Sequence, residues 1–218
     1  MAKTKIAVLA SGRGTNLQSV IDGIKNGIVG NADLRLVVSD KEKAYALERA
    51  RISGIEALWI NPRAYESDEG YNNAILRELK DRDIDLVVLA GYMRILSKSF
   101  VRAYKNAIIN IHPSLIPSFS GRGYYGERVH REVIEYGVKV TGATVHFVDE
   151  GTDTGPIILQ QAVQVLGEDT PESLAKRVLE VEHALLPRAV DLYCRGCLRM
   201  EGRKVLVKNG GALCEKEH

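Results

Sequence analysis

The strongest constraint on this chain is an alternation of two kinds of segment. Short apolar, β-branched runs at 6–10, 34–39, 57–60, 86–90 and 108–112 alternate with helix-like stretches at 17–25, 44–53, 71–82 and 98–104. An unbroken apolar run gives a strand two apolar faces, so both must be covered, which is the condition of a parallel sheet. Strand–helix alternation then predicts an α/β fold, a doubly wound, mostly parallel, Rossmann-like sheet with right-handed crossovers.

After His112 the pattern changes. A polar, glycine-rich loop at 117–126 precedes a helix over 127–136 and strands over 140–148 and 157–165. A long helix is expected from Thr170, a good N-cap, with Pro171 at the first helical position, where its missing N–H is harmless. Leu174, Val178, Val181 and Leu185 mark its buried face, and Glu182 falls at the edge of that face. Pro187 is expected to kink this helix or end its first half. Residues 198–207, around Glu201-Gly202, read as a small hairpin. There is no repeat and no linker, so 1–218 reads as a single domain with 208–218 as a tail.

Charge narrows the function classes. Thirty basic residues against 28 acidic ones leave a net charge of +2, which gives no footprint for nucleic acid or an anionic membrane. No apolar run reaches membrane length, and the expected location is cytoplasmic. The three cysteines are Cys194, Cys197 and Cys214. With His218 they could be drawn as a zinc site, but the charged segment around Cys214 offers nothing to support metal ligands. They read as free thiols, and no metal is expected.

Four places are candidates for chemistry. Ser11-Gly12-Arg13-Gly14-Thr15-Asn16 joins the first strand to the first helix, where backbone N–H groups bind phosphate. Leu17 stands where a dinucleotide fingerprint needs its third glycine, so a single phosphate fits better. A plain connecting turn is the alternative. Asn110 and His112 are two apart at a strand end, hence on one face, and Pro113 stops the strand there. An amide beside an imidazole can donate hydrogen bonds to an oxyanion, although a lone His is as readily structural. Asp153 would orient an imidazole and favour its protonated form, or simply serve the turn before Thr154-Gly155-Pro156. His146, on the preceding strand, could join the same pocket. Finally, Gly91-Tyr92-Met93-Arg94-Ile95-Leu96 mixes apolar side chains with one Arg, which suits a flat heteroaromatic ligand ending in carboxylates. On physics alone it is an ordinary βα connection.

Taken together these motifs are specific. Ser11 to Gln18, the run ending at Leu96, Asn110-Ile111-His112-Pro113-Ser114-Leu115 and Thr141 to Pro156 occur in an order that resembles the phosphoribosylglycinamide formyltransferase family, over nearly the whole chain. The resemblance implies that Asn110, His112 and Asp153 are the catalytic trio. It implies that Gly14, Thr15 and Asn16 hold the substrate phosphate and that Glu182 binds the ribose, where position alone would equally suit a surface carboxylate. Met93, Arg94, Ile95 and Leu96 would wall a folate pocket that also includes Asn110, with Val148, Asp149 and Glu150 facing the pterin. On this basis 1–112 is the phosphate-binding half and 113–207 the folate-site and C-terminal half. The chain departs from the family at 119–128, which is longer here, and at Asp68, where relatives often carry an Arg that Arg63 could replace.

The implied reaction is direct attack of the amine of phosphoribosylglycinamide on the formyl carbon of 10-formyltetrahydrofolate, the formyl-donor cosubstrate, within purine biosynthesis. Other users of this folate are expected to carry additional domains, an RNA-binding one at the C-terminus or a regulatory one at the N-terminus. A non-catalytic mononucleotide-binding module is the rival from another class, and the Asn110, His112 and Asp153 set speaks against it. The expected partners are these two small molecules, with no nucleic acid and no membrane, in a monomer or homodimer.

Overall fold

Each of the five apolar runs forms a strand: β1 (Thr4–Leu9), β2 (Ala32–Ser39), β3 (Glu56–Trp59), β4 (Leu86–Leu89) and β5 (Ile108–His112). Between them lie α1 (Thr15–Lys25), α2 (Tyr45–Ile52), α3 (Asp68–Lys80) and α4 (Lys98–Ala103), with a 3₁₀ turn, Pro62–Ala64, ahead of α3. Beyond His112 come α5 (Glu127–Tyr136), β6 (Val140–Phe147), β7 (Ile157–Gln164), α6 (Pro171–Cys194) and a hairpin of β8 (Leu198–Glu201) and β9 (Lys204–Val207). The computed structural model describes residues 2–208.

The main sheet has the order β3-β2-β1-β4-β5-β6-β7. β1 to β5 run parallel, while β6 pairs antiparallel with both β5 and β7. The fold class is therefore the expected one. The chain reverses direction of winding between β1 and β4, and such a switch point opens a crevice at the carboxyl ends of the strands.

Alternation along each strand sends side chains to two cores. Ile6, Val8, Val88, Ile109 and Ile111 face the core closed by α1, α2, α5 and α6. Ala7, Leu9, Val87 and Ile108 face the one closed by α3 and α4. Asn110 and His112 share the parity of Ile108, so they lie on the α3–α4 side of the sheet at its carboxyl edge.

Helix α6 starts as expected. The Thr170 hydroxyl accepts the Ser173 N–H at 3.2 Å, and the Ser173 hydroxyl accepts the Thr170 N–H at 3.0 Å. Of the two outcomes expected at Pro187, an end to the first half of the helix is corrected: α6 continues through it to Cys194. Pro187 is buried against α1, and a Cβ added to Gly23 would lie 3.2 Å from the proline ring. Burial of this face against α1 outweighs the one helical hydrogen bond the proline removes. Among the described residues no helix is long and apolar enough to cross a membrane.

Candidate active site

The first wall of the site is the loop after β1. Gly14 precedes α1 with φ 70°, and a Cβ there would stand 2.8 Å from Ala46. Only glycine tolerates both the left-handed backbone and that approach. Because Gly14 has no side chain to cap α1, the first N–H groups of the helix are left for an external acceptor. The loop is fastened to the next one along the edge. Ser11 N–H donates to Gly91 O at 3.1 Å, and Ser11 Oγ accepts the Met93 N–H at 2.9 Å.

Asn16 sits on the first turn of α1 and meets Glu182 of α6. Its Nδ2 donates to Glu182 Oε2 at 2.6 Å, while its Oδ1 is buried without a partner among the described residues. Glu182 is 7% exposed, so its expected place at the edge of the helix face is corrected: it is sealed between α6 and α1. Burial raises its carboxyl pKa to about 7, against the opposing effect of the Asn16 hydrogen bond. A buried carboxyl and an amide oxygen without a partner among the described residues stand together here, a pair whose polar atoms can hydrogen-bond hydroxyl groups.

The second wall is the end of β5. The His112 ring is nearly sealed, with Nε2 at 2.9 Å from the Phe119 carbonyl oxygen and Nδ1 at 3.5 Å from Asp153 Oδ2. Each ring nitrogen thus has an oxygen acceptor beside it. Asp153 is held in turn by the Gly121 N–H at 3.0 Å, and its Oδ1 lies 3.7 Å from His146 Nε2. Asn110 faces His146 across the β5–β6 pair, at 3.1 Å from Nδ2 to Nε2. The structure therefore brings Asn110, His112, Asp153 and His146 together from three segments.

A cleft of about 510 Å³ opens in front of this group. Its floor and sides include Met93, Arg94, Ile95 and Leu96 after β4, and Val148 and Asp149 after β6. Residues from both sides of position 112 line it. Glu150 lies apart from the lining: its carboxylate binds Arg102 at 2.7 and 3.2 Å, and that guanidinium lowers its pKa. Arg94 lies 5.1 Å from the centre of the Tyr71 ring and pairs with Asp68. Arg63 stands in the 3₁₀ turn, outside the residues that line the cleft.

Some parts of the site have no sequence signal. The long loop after Phe119 forms a wall through Gly121, Arg122, Gly123, Tyr124, Tyr125 and Gly126, and the Phe119 carbonyl engages His112. His130, on the inner face of α5, is held down to about 4 by burial and by the neighbouring His112. Cross-strand register, which needs the partner strand, is what would have linked His146 to Asn110. Cys194 and Cys197 are buried, and burial pushes the Cys194 thiol up to about 11. Cys214 and His218, the remaining members of the zinc pattern considered above, lie outside the described residues.

Comparison with known proteins places the chain in a family. The formyl transferase family model matches residues 4–190. The trifunctional purine biosynthetic protein adenosine-3 of Drosophila melanogaster is 43% identical over 195 residues, which is 89% of this chain but only 14% of that protein. The phosphoribosylglycinamide formyltransferase of Bacillus subtilis is 39% identical over 85% of this chain and 92% of its own length. The crystal structure of glycinamide ribonucleotide transformylase 1 from Symbiobacterium toebii superposes with a TM-score of 0.89 at 46% identity, covering 94% of each chain. The chain belongs to the formyl transferase family, in its phosphoribosylglycinamide formyltransferase group.

Proposed function

We propose that this chain transfers the formyl group of 10-formyltetrahydrofolate to the amine of phosphoribosylglycinamide. The observation that carries this reading is that Asn110, His112 and Asp153 line one cleft, whose Gly91 and Met93 are hydrogen-bonded to Ser11 in the loop that leads to the uncapped start of α1. The N–H groups at Gly14, Thr15 and Asn16 take the phosphate, and Glu182 with Asn16 takes the ribose hydroxyls. Met93, Arg94, Ile95, Leu96, Val148 and Asp149 hold the folate, with Asn110 at its reactive end. Glu150 supports the loop through Arg102 rather than touching the pterin.

In the reaction the amine nitrogen attacks the formyl carbon and a tetrahedral oxyanion forms. The Asn110 amide donates a hydrogen bond to it, and the His112 imidazolium does so through Nε2–H once that group leaves the Phe119 carbonyl. Asp153 holds the ring and balances its charge. The oxyanion then collapses to the new formamide carbonyl as the C–N bond to the folate nitrogen breaks; His112, directly or through water, supplies the proton that the folate nitrogen takes up and is re-protonated by the one the attacking amine gives up. Holding both substrates in attack geometry accounts for a large share of the acceleration. The proposal includes small-molecule partners only, a cytoplasmic location, and a monomer or homodimer.

The test is an assay with both substrates, following formylated ribonucleotide and free tetrahydrofolate. One-to-one formation of the two products is expected. Release of formate without formylated ribonucleotide would point instead to hydrolysis of the folate.

A further inference from the structure

His146 is 1% exposed and stands directly opposite Asn110 in the β5–β6 pairing. Its Nδ1 lies 2.8 Å from the Phe147 carbonyl oxygen. A carbonyl can only accept, so Nδ1 carries the proton. In the neutral ring Nε2 is then a bare acceptor, and it faces the Asn110 Nδ2 at 3.1 Å. Asp153 Oδ1, at 3.7 Å from Nε2, is beyond hydrogen-bond reach and does not compete for that nitrogen. Burial lowers the His146 pKa, with His112 acting the same way, against the Phe147 carbonyl, Asp153 and Asp149, which all act to raise it.

An asparagine amide has two ends of nearly equal shape and opposite polarity. One end donates and the other accepts, and a half-turn exchanges them. Asn110 lines the cleft, so which end faces a developing oxyanion decides whether it attracts or repels. We propose that His146, as its Nδ1–H tautomer, is a positioning residue that fixes the Asn110 amide with its nitrogen toward the oxyanion position. One Nδ2 hydrogen is held by His146 Nε2, and the other remains for the reacting oxygen. This inference rests on the formyl-transfer reading above and adds to it a residue that acts through Asn110.

Two measurements test it. Nitrogen-15 NMR of the wild-type protein at neutral pH reads the His146 tautomer directly and needs no substrate. Proton on Nδ1 and none on Nε2 is expected; a proton on Nε2 overturns the proposal. Turnover is then compared in three variants, each checked by its melting curve. Gln places an acceptor where Nε2 stood, Asn places one only near Nδ1, and Leu places none. H146L and H146N are expected to lose about a hundredfold in kcat, the scale of one oxyanion donor, with both KM values nearly unchanged. H146Q is expected to recover most of that loss. Equal kcat in H146Q and H146N, or a loss expressed in KM alone, overturns it. Failure of the formyl-transfer reading is seen separately, as absence of transfer by the wild-type control, and the tautomer is read whether or not any variant folds.

Discussion

Asn16 Nδ2 donates a 2.6 Å hydrogen bond to Glu182 Oε2 across 166 positions of sequence, joining the first turn of α1 to the middle of α6. The pair is nearly sealed, at 8% and 7% exposure. It sets a pH dependence of stability. The folded-state pKa of Glu182 is raised from 4.5 to about 7. The folded protein therefore holds this proton more tightly than the unfolded chain. The stabilisation is complete below about 4.5 and is lost as pH rises through about 7. Its size is on the order of 3 kcal/mol. E182Q keeps an acceptor for Asn16 and carries no charge, so it should flatten this slope and exceed wild type in stability at pH 8. Urea midpoints between pH 5 and pH 8 measure it, and parallel curves for the two proteins would rule it out.

The same variant separates the two substrates. A ribose role for Glu182 predicts that E182Q raises the KM for the ribonucleotide more than that for the folate. Steady-state kinetics with each substrate varied in turn decide this. Equal effects on both would leave Glu182 as a structural carboxyl.

His112→Ala should lower kcat by about a hundredfold or more, the cost of losing an oxyanion donor. Asp153→Asn should keep the contact with the Gly121 N–H while removing the charge beside His112. A loss of about tenfold to a hundredfold is expected, at the scale of proton-transfer effects. Melting temperatures report whether each fold survives. Wild-type turnover in H112A would remove His112 from the mechanism.

The uncapped start of α1 predicts discrimination by phosphate. An analogue of the ribonucleotide without its phosphate should raise the melting temperature far less than the intact molecule. NAD should not raise it at all, because only a ligand that binds the native state stabilises it. A clear NAD-dependent shift would favour a dinucleotide site instead.

Arg94 pairs with an exposed carboxylate, Asp68, whose side chain is 77% exposed. Such a pair contributes at most about 1 kcal/mol to stability, so D68A should leave the melting temperature nearly unchanged. It should free Arg94 for a carboxylate of the folate and lower the KM for that substrate, with an effect that fades in salt. An unchanged KM at low salt would place Arg94 away from the folate's charged end.

Much of the molecule was written in local pattern. Unbroken apolar runs required strands covered on both faces, and β1 to β5 form them. The two-residue spacing of Asn110 and His112, stopped by Pro113, put both on one face at the strand end, because strand side chains alternate. Thr170 and Pro171 marked the start of α6, since capping depends on a few adjacent residues. Tertiary structure decided the rest. Antiparallel β6 placed His146 against Asn110, and a ring's tautomer depends on what stands at each nitrogen. Packing on α1 buried Glu182, which local pattern put at the edge of the helix face, and α6 continues through Pro187, where local pattern allowed it to end. Glu150 binds Arg102 and is not among the residues that line the cleft. Periodicity determines which face a side chain takes, but its solvent, its charge partner and its protonation are set by elements far away in the chain.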